Sequence, residues 1–223
     1  MKIHGMWYSN ATGRVLATLC EKEIDFELIP VDIMKGDQKK PEFLAIQPFG
    51  QIPVLEDGDF KIYESRACMR YICDKFPDKG TKLYGATPKD RALVEQWLEV
   101  ESQECTGPML DLVNQVLFGP LFHGKAPDEA TVKALTEKLG KVLDVYEAQL
   151  SKTKYLAGDF ISLADIAHLP VGSYYFNIAN QHDLLKTRKY VTGWWQDISG
   201  RPAWKKIVEM ATPDIEAWKK AMK

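Results

Sequence analysis

The residues best suited to chemistry lie in the stretch 47–66. Here an Ile52-Pro53 bond leads into a short apolar strand, an Asp-Gly turn reverses the chain, and a second strand ends at Glu64-Ser65, where a helix is expected to begin. Because Pro53 has no N–H, the Ile52 backbone cannot be fully paired within a sheet, and an extended ligand can take up its spare groups. Glu64 suits a ligand amine, and Ser65 with the first N–H groups of a helix suits a carboxylate. The pattern therefore predicts a peptide-binding edge.

The elements that must position this edge are strands and helices that alternate through residues 1–77. Pro30 places its strand at an edge of the sheet, since a central strand would lose a ladder bond there. The order is β-α-β followed by β-β-α, which matches a thioredoxin-like sheet. We predict strands over 2–6 and 25–31, helices over 10–23 and 65–74, and a hairpin from 54 to 63.

A polar, glycine-punctuated segment at 78–88 reads as a linker. Beyond it, the patterns are helical only, so we predict an all-α second domain over 89–223. Ser162 and Asp165 form a capping-box pattern at the start of its most apolar helix. The predicted helices cover 89–117, 128–150, 163–177 and 190–198, with another from Pro202.

Composition excludes several classes of function. The 223 residues carry a formal net charge of −2, which gives no reason to expect nucleic acid or an anionic membrane surface as a partner. No apolar run approaches the ~20 residues of a membrane span, so we expect a cytoplasmic protein. The four cysteines and four histidines form neither a Cys-x-x-Cys pair nor a metal-ligand pattern. We therefore expect reduced, packed cysteines and no metal.

Five motifs in order resemble those of the glutathione S-transferases, and specifically of the plant phi class. They are Ser-x-x-Thr-x-Arg at 9–14, Pro-Phe-Gly-Gln-Ile-Pro at 48–53, Glu-Asp-Gly-Asp at 56–59, Glu-Ser-Arg-Ala at 64–67, and the Trp-rich segment 194–204. The resemblance covers both domains. It implies a thioredoxin-like N-terminal domain, a helical C-terminal domain, a homodimer, and glutathione as co-substrate without a further cofactor.

The resemblance implies that Ser9, at the entry to the first helix, is the catalytic residue. A free thiol titrates near ~8.5, and lowering its pKa by about two units takes about 2.7 kcal/mol. A hydrogen bond to a charged group supplies ~1.5–3 kcal/mol and a helix N-terminus ~0.3–1 kcal/mol, so a hydroxyl here is sufficient. Two alternatives stay open: Ser9 is only a helix N-cap, or Tyr8 is the donor. Thr12 is expected to support the network.

The same resemblance implies the glutathione contacts. Lys39 is expected at the glycyl carboxylate, beside Gln38, which stands where the class often has histidine. The middle of the peptide is assigned to Gln51, Ile52 and Pro53, and the γ-glutamyl end to Glu64 and Ser65.

The electrophile is expected beside Ser9, against apolar side chains. The candidates by family position are Trp7, Tyr8, Ile33, Leu117 and Phe118. Leu117 and Phe118 equally fit ordinary core at a helix end, and Asn114 replaces a phenylalanine common in the class.

The function implied is conjugation of the glutathione thiolate to small hydrophobic electrophiles, with hydroperoxide reduction as a side activity. Position 9 is not cysteine, so mixed-disulfide chemistry is not expected. The alternative is a non-catalytic protein on the same fold that carries ligands or mediates interactions.

Overall fold

A four-stranded sheet forms the centre of the first part of the chain, in a computed structural model that describes residues 1–221 apart from the side chains of 214, 217–219 and 221. The strands are β1 (Lys2–Gly5), β2 (Glu27–Pro30), β3 (Val54–Asp57) and β4 (Phe60–Tyr63). They are ordered β2-β1-β3-β4, with β2 parallel to β1 and the other neighbours antiparallel. The strand that contains Pro30 lies at the edge, as predicted.

The helices of this part are α1 (Asn10–Glu21), α2 (Pro41–Leu44) and α3 (Ser65–Lys75). Helix α1 buries Val15, Leu16 and Leu19 completely, which is the apolar face that the sequence indicates. Between β2 and β3 the chain forms a 3₁₀ turn, Asp37–Lys39, and then α2. So short a helix has no periodicity to read, although Pro41 at its first position is a typical helix start.

The chain divides into two units between Leu83 and Tyr84, a boundary inside the predicted linker. The described part of the second unit contains α-helices, π-helical segments, turns and one isolated β-bridge. Its α-helices are α4 (Pro88–Val100), α5 (Thr106–Val113), α6 (Gly119–His123), α7 (Glu129–Leu150), α8 (Leu163–Ala167), α9 (Leu169–Gly172), α10 (Asp183–Lys186), α11 (Lys189–Ser199) and α12 (Pro202–Ala221).

Two of the predicted long helices are interrupted by wider turns. π-helical segments at Glu101–Cys105 and Asn114–Phe118 separate α4, α5 and α6, and a third at Ser173–Ile178 follows α9. The prediction of uninterrupted α-helices over 89–117 and 163–177 was therefore wrong in detail. The spacing of apolar residues gives only the average number of residues per turn, so it does not reveal a single wider turn. Helix α10 was not predicted.

Asp165 organises the core of the second unit. Its carboxylate accepts hydrogen bonds from the Leu156 N–H at 3.1 Å, the Ser162 N–H at 2.9 Å, the Ser162 hydroxyl at 2.8 Å and the Trp194 indole N–H at 2.9 Å. Burial raises the pKa of Asp165, and the four donors oppose that rise. The helix start predicted at Ser162 is confirmed, and Asp165 also ties it to α11.

The four cysteines are free thiols, and three of them are buried. Burial raises the pKa of Cys68 to about 12, so this thiol is protonated at neutral pH. The described residues contain no group of three or more His, Cys, Asp or Glu placed to hold a metal ion. Within residues 1–221, no helix combines the length and apolarity that crossing a membrane requires.

Candidate active site at one edge of the sheet

Strand register brings the predicted glutathione contacts to one edge of the sheet, the edge at which β1, β2 and β4 end and β3 begins. His4 of β1 pairs with Val54 of β3, and Val54 pairs with Tyr63 of β4. Because β3 runs antiparallel to both neighbours, its first residue lies beside their last residues. The segments that follow β1 and β4 and the segment that precedes β3 therefore meet. Parallel β2 ends at Pro30 opposite Gly5, so the segment that follows it leaves at the same edge.

Ser9 follows β1 and is the N-cap of α1. It has extended backbone angles, φ −86° and ψ 127°, and its hydroxyl oxygen accepts the Thr12 N–H at 3.3 Å. The Ser9 carbonyl accepts the Gly13 N–H at 2.7 Å, which closes the first helical turn. Ser9 is half-buried. The hydroxyl therefore stands at the positive end of an α-helix with access to solvent.

Thr12 is completely buried, and its hydroxyl oxygen has no hydrogen-bond partner among the described residues. It packs against the end of β1 at Gly5. A Cβ atom at Gly5 would lie 2.5 Å from that oxygen and 2.8 Å from the Thr12 methyl carbon. The absent side chain at Gly5 lets α1 approach the strand closely, and this approach fixes the position of Ser9.

The Ile52-Pro53 peptide bond is cis. The ladder of β3 begins at Val54, so the Ile52 backbone precedes it. The Ile52 side chain packs on a cluster that contains Val31 and Phe43. This packing anchors Ile52 by its side chain and leaves its main-chain groups outside the sheet, as a site for an extended peptide requires.

Gln51 is exposed and is positioned by a residue to which sequence reasoning gave no role. The Gln51 N–H donates to the side-chain oxygen of Gln47 at 3.3 Å, and Gln47 is buried. In the sequence, the only sign of this role is a glutamine just before the Pro-Phe-Gly turn. The burial of Gln47 depends on tertiary packing, which a local sequence pattern does not show.

Glu64 and Ser65 stand at the start of α3. Glu64 has φ 68° and ψ 109°, a conformation that a non-glycine residue rarely adopts and that costs of the order of 1–3 kcal/mol. Glu64 is exposed, whereas Ser65 is buried. The turn aims the first N–H groups of α3 at the edge where β4 ends, which suits an anionic group.

Lys39 and Lys40 have different surroundings. The Lys39 ammonium donates to the Phe49 carbonyl at 3.0 Å, which links the segment after β2 to the loop before β3. Lys40 forms an ion pair with Asp37 at 2.7 Å, which raises the pKa of Lys40 and lowers that of Asp37. Lys39 therefore contacts the loop that leads to Gln51, and its role at the glycyl carboxylate stays a prediction.

Gln38 lies in the 3₁₀ turn Asp37–Lys39, just before these two lysines. Its amide donates to the Ile33 carbonyl at 3.3 Å, while its side-chain oxygen is buried and has no hydrogen-bond partner among the described residues. The side chain is thus held by a local contact.

The predicted electrophile residues have unequal exposure. Trp7 is half-buried and its ring lies 6.3 Å from that of Phe26, and Ile33 is exposed. Tyr8 is half-buried. In the second unit, Leu117 is fully buried in the core.

Phe118 is half-buried and packs its ring against Phe122 and Tyr174, with centroids 5.8 and 5.3 Å apart. The core alternative for Leu117 and Phe118 fits this packing. Their role at the electrophile site stays a prediction.

A thioredoxin-like unit with a serine at the start of its first helix, followed by a helical unit, is the architecture of a glutathione transferase. Family models agree. The glutathione S-transferase N-terminal domain matches residues 1–74, and the glutathione S-transferase C-terminal domain matches residues 109–202.

Known relatives give the same result. Glutathione S-transferase F10 of Arabidopsis thaliana is 54% identical over 88% of this chain and 91% of its own. Glutathione S-transferase F9 of the same plant is 50% identical to this chain, over 93% of this chain and 96% of the relative's own length. The crystal structure of glutathione transferase F2 from Populus trichocarpa is 44% identical with a TM-score of 0.91, covering 95% of this chain and 99% of that one.

A solved structure of glutathione S-transferase I from maize, in complex with an atrazine glutathione conjugate, is 37% identical with a TM-score of 0.87 over 95% and 98% of the two chains. The chain belongs to the glutathione S-transferase family, and its F-series relatives place it in the phi class.

Proposed function

We propose that the protein conjugates the glutathione thiolate to small hydrophobic electrophiles, with Ser9 as the catalytic residue. The observation that carries the proposal is the Ser9 hydroxyl at the start of α1, on the edge where the predicted peptide contacts converge. A hydroxyl has one proton to donate and two lone pairs. Because the Ser9 oxygen uses a lone pair to accept the Thr12 N–H, the Ser9 hydroxyl proton remains available for a hydrogen bond to the glutathione sulfur.

In the reaction, the thiol of bound glutathione loses its proton to solvent, and the Ser9 O–H donates to the thiolate. The N-terminal end of α1 adds favourable electrostatics. The sulfur then attacks an electrophilic carbon. In substitution the leaving group departs with the bonding electrons, and in addition the resulting carbanion takes a proton from water.

The peptide is held along the edge. Its backbone pairs with Ile52 ahead of Pro53, where the sheet leaves main-chain groups outside the ladder. Gln51 contacts the middle of the peptide. The γ-glutamyl amine meets Glu64, and its carboxylate meets Ser65 and the first N–H groups of α3.

The glycyl carboxylate meets Lys39, with Gln38 beside it. The electrophile lies next to the sulfur, with Trp7, Tyr8 and Ile33 as the predicted walls from the first domain, 1–77. No cofactor takes part in this scheme.

The same thiolate is proposed to reduce organic hydroperoxides. Sulfur attacks the terminal peroxide oxygen, the O–O bond breaks, and the alcohol leaves with a proton from water. The sulfenic form of glutathione then reacts with a second glutathione to give the disulfide and water. The electrons come from two glutathione molecules, so no other reductant is needed.

We also propose a homodimer that acts in the cytoplasm.

A thiolate absorbance titration tests the assignment of Ser9. In wild-type protein, bound glutathione is expected to ionise about two pH units below the free thiol. Ser9→Ala is expected to remove most of that shift and to lower turnover of chlorodinitrobenzene and cumene hydroperoxide together. Tyr8→Phe is the matched control and is expected to leave the titration unchanged.

The opposite pattern, with ionisation lost in Tyr8→Phe and kept in Ser9→Ala, would overturn the role of Ser9. If wild-type protein binds glutathione and turns over neither acceptor, the non-catalytic alternative replaces conjugation.

A further inference from the structure

Gly50 is the point where two segments of the predicted glutathione site touch, and the proposed reaction gives this residue no role. Gly50 is buried. A Cβ atom on it would lie 2.8 Å from the Gln38 carbonyl oxygen and 2.8 Å from both Cδ and Nζ of Lys39. These distances are well inside the ~3.5–4.0 Å optimum for non-bonded carbon atoms. The Lys39 side chain therefore crosses the face of Gly50 from which a side chain would project.

The loop 47–51 that contains Gly50 is held from within. The Gly50 N–H donates to the Gln47 carbonyl at 2.9 Å, and the Gln51 N–H donates to the Gln47 side-chain oxygen at 3.3 Å. Gln47 is only 2% exposed, so the loop is closed on a buried residue. The Phe49 carbonyl belongs to the same loop and accepts the Lys39 ammonium at 3.0 Å. The loop thus presents a fixed acceptor to the lysine that crosses it.

Lys39 keeps donors for a ligand in this arrangement. An ammonium has three N–H donors, and the Phe49 carbonyl uses one of them. Lysine has a flexible four-carbon stem, and a side chain that is already held loses less conformational freedom when it binds an anion. Its neighbour Lys40 is paired with Asp37 at 2.7 Å instead. Lys39 is therefore preorganised for a carboxylate.

We propose that Gly50 is a positioning residue for the glycyl carboxylate of glutathione. Because Gly50 has no side chain, Lys39 can lie across the loop and present its remaining donors to the carboxylate. A methyl group at position 50 displaces Lys39 and removes the preference for a peptide with a free glycyl carboxylate. This inference rests on the proposed function for the identity of the peptide, but it concerns binding and not the thiolate.

Calorimetric titration with S-hexylglutathione and with its glycinamide, in which a neutral amide replaces the glycyl carboxylate, tests the proposal. Neither peptide has a free thiol, so binding is measured independently of Ser9. We expect wild-type protein to bind the acid about tenfold more tightly than the amide, with an advantage that falls as salt rises. Gly50→Ala is expected to weaken the acid alone and to bring the two affinities together.

Steady-state kinetics of Gly50→Ala supply a second measurement. The KM for glutathione is expected to rise about tenfold, while kcat and the pH at which bound glutathione ionises stay unchanged. A merely structural defect would weaken the acid and the amide alike, so the ratio of their affinities separates positioning from damage to the loop.

Gly58→Ala is the matched control for backbone strain. Gly58 has φ 62° and Gly50 has φ 61°, but a Cβ atom on Gly58 would meet no atom within 4 Å. Gly58→Ala is therefore expected to keep the affinity ratio. Lys39→Met is expected to lose it and Lys40→Met to keep it. Adding Gly50→Ala to Lys39→Met is expected to lower the ratio no further, because both changes act on one interaction.

The variant Lys39→Ala/Gly50→Ala keeps the test decisive if Gly50→Ala folds poorly. It lacks two of the three atoms that the new methyl group would meet, so it is expected to regain stability in urea. A double variant no more stable than Gly50→Ala contradicts the crossing of Lys39 over Gly50.

Two results overturn the role of Gly50: an affinity ratio that survives in Gly50→Ala, or one that is lost equally in Gly58→Ala. Equal affinity of wild-type protein for the acid and the amide removes Lys39 as the carboxylate anchor and leaves conjugation intact. Wild-type protein that shows the ratio but turns over no electrophile loses the proposed conjugation and keeps the role of Gly50.

Discussion

Ser9 is the residue where a structural role and the proposed catalytic role have to coexist. As the N-cap, it satisfies one N–H group of the first turn by accepting from Thr12. As a thiol activator, it donates its proton. The two uses involve different parts of the hydroxyl, so the N-cap interpretation and the catalytic interpretation do not exclude each other. Substituting Ser9 therefore changes helix stability as well as ionisation, which is why the titration is the decisive measurement.

Gly5 offers a way to displace Ser9 without changing it. In Gly5→Ala the new methyl group would overlap the Thr12 side chain, whose Cβ lies 3.2 Å from the new atom and whose Oγ1 and Cγ2 lie closer. We expect a loss of about 1–3 kcal/mol in unfolding free energy, by overpacking, and a smaller shift of the glutathione pKa.

Adding Thr12→Ala removes the two closer atoms, so the double variant is expected to recover part of the stability. Gly107→Ala, where a Cβ atom meets no atom within 4 Å, is the control. Equal stability of Gly5→Ala and wild type in urea titrations would show that α1 does not depend on this approach.

Several site residues could be predicted from the sequence because their chemistry is local. Pro53 predicts an unpaired backbone, and Ser9 and Ser65 precede recognisable helical patterns. The burial of Gln47 and the positive φ of Glu64 could not be predicted, since both depend on the tertiary structure around them. Local pattern therefore selects candidate residues, and tertiary contacts determine their geometry.

Among the elements, the helices of the second unit show where periodicity stops being informative. Each π segment adds a residue to one turn and rotates the apolar face of the helix that follows. The apolar residues on each side of a π segment fit the 3.6-residue helical period separately, so 89–117 was predicted as one helix. The strands were predictable because they are short runs bounded by turn residues, and Pro30 places its strand at an edge of the sheet.

Asp165 is the element-scale test. Replacing it with alanine leaves the N–H groups of Leu156, Ser162 and Trp194 without their common acceptor. Each buried unsatisfied group costs about 1–3 kcal/mol, so Asp165→Ala is expected to lower the unfolding free energy by more than about 3 kcal/mol.

Asp128→Ala is the matched control, because Asp128 accepts the Thr131 N–H at 2.7 Å at the exposed start of α7. Its loss is expected to be much smaller. Similar losses in chemical denaturation would mean that Asp165 is an ordinary cap rather than the link to α11.

At the scale of the whole molecule, the exposed aromatic residue Phe49 bears on assembly. Its side chain is 64% exposed, on the loop where its carbonyl accepts from Lys39. An exposed phenylalanine on a loop held by a hydrogen bond is suited to anchor a partner subunit. The proposed homodimer supplies a surface that covers Phe49, because in a two-fold dimer the same residue is buried once in each subunit.

Phe49→Ala tests this assembly. Burying a phenylalanine contributes about 1.5–3 kcal/mol, so removing two copies is expected to raise the dimer dissociation constant by about 10²–10⁴-fold. Sedimentation velocity over a series of concentrations measures the shift from dimer to monomer. Phe60→Ala is the control, because Phe60 is less exposed, at 47%, and its ring lies 5.0 Å from that of Tyr71, whereas the Phe49 ring lies 6.2 Å from that of Tyr63. A wild-type monomer, or equal dissociation in both variants, would exclude Phe49 as the anchor, whereas loss confined to Phe49→Ala would connect assembly to the loop that positions Gln51.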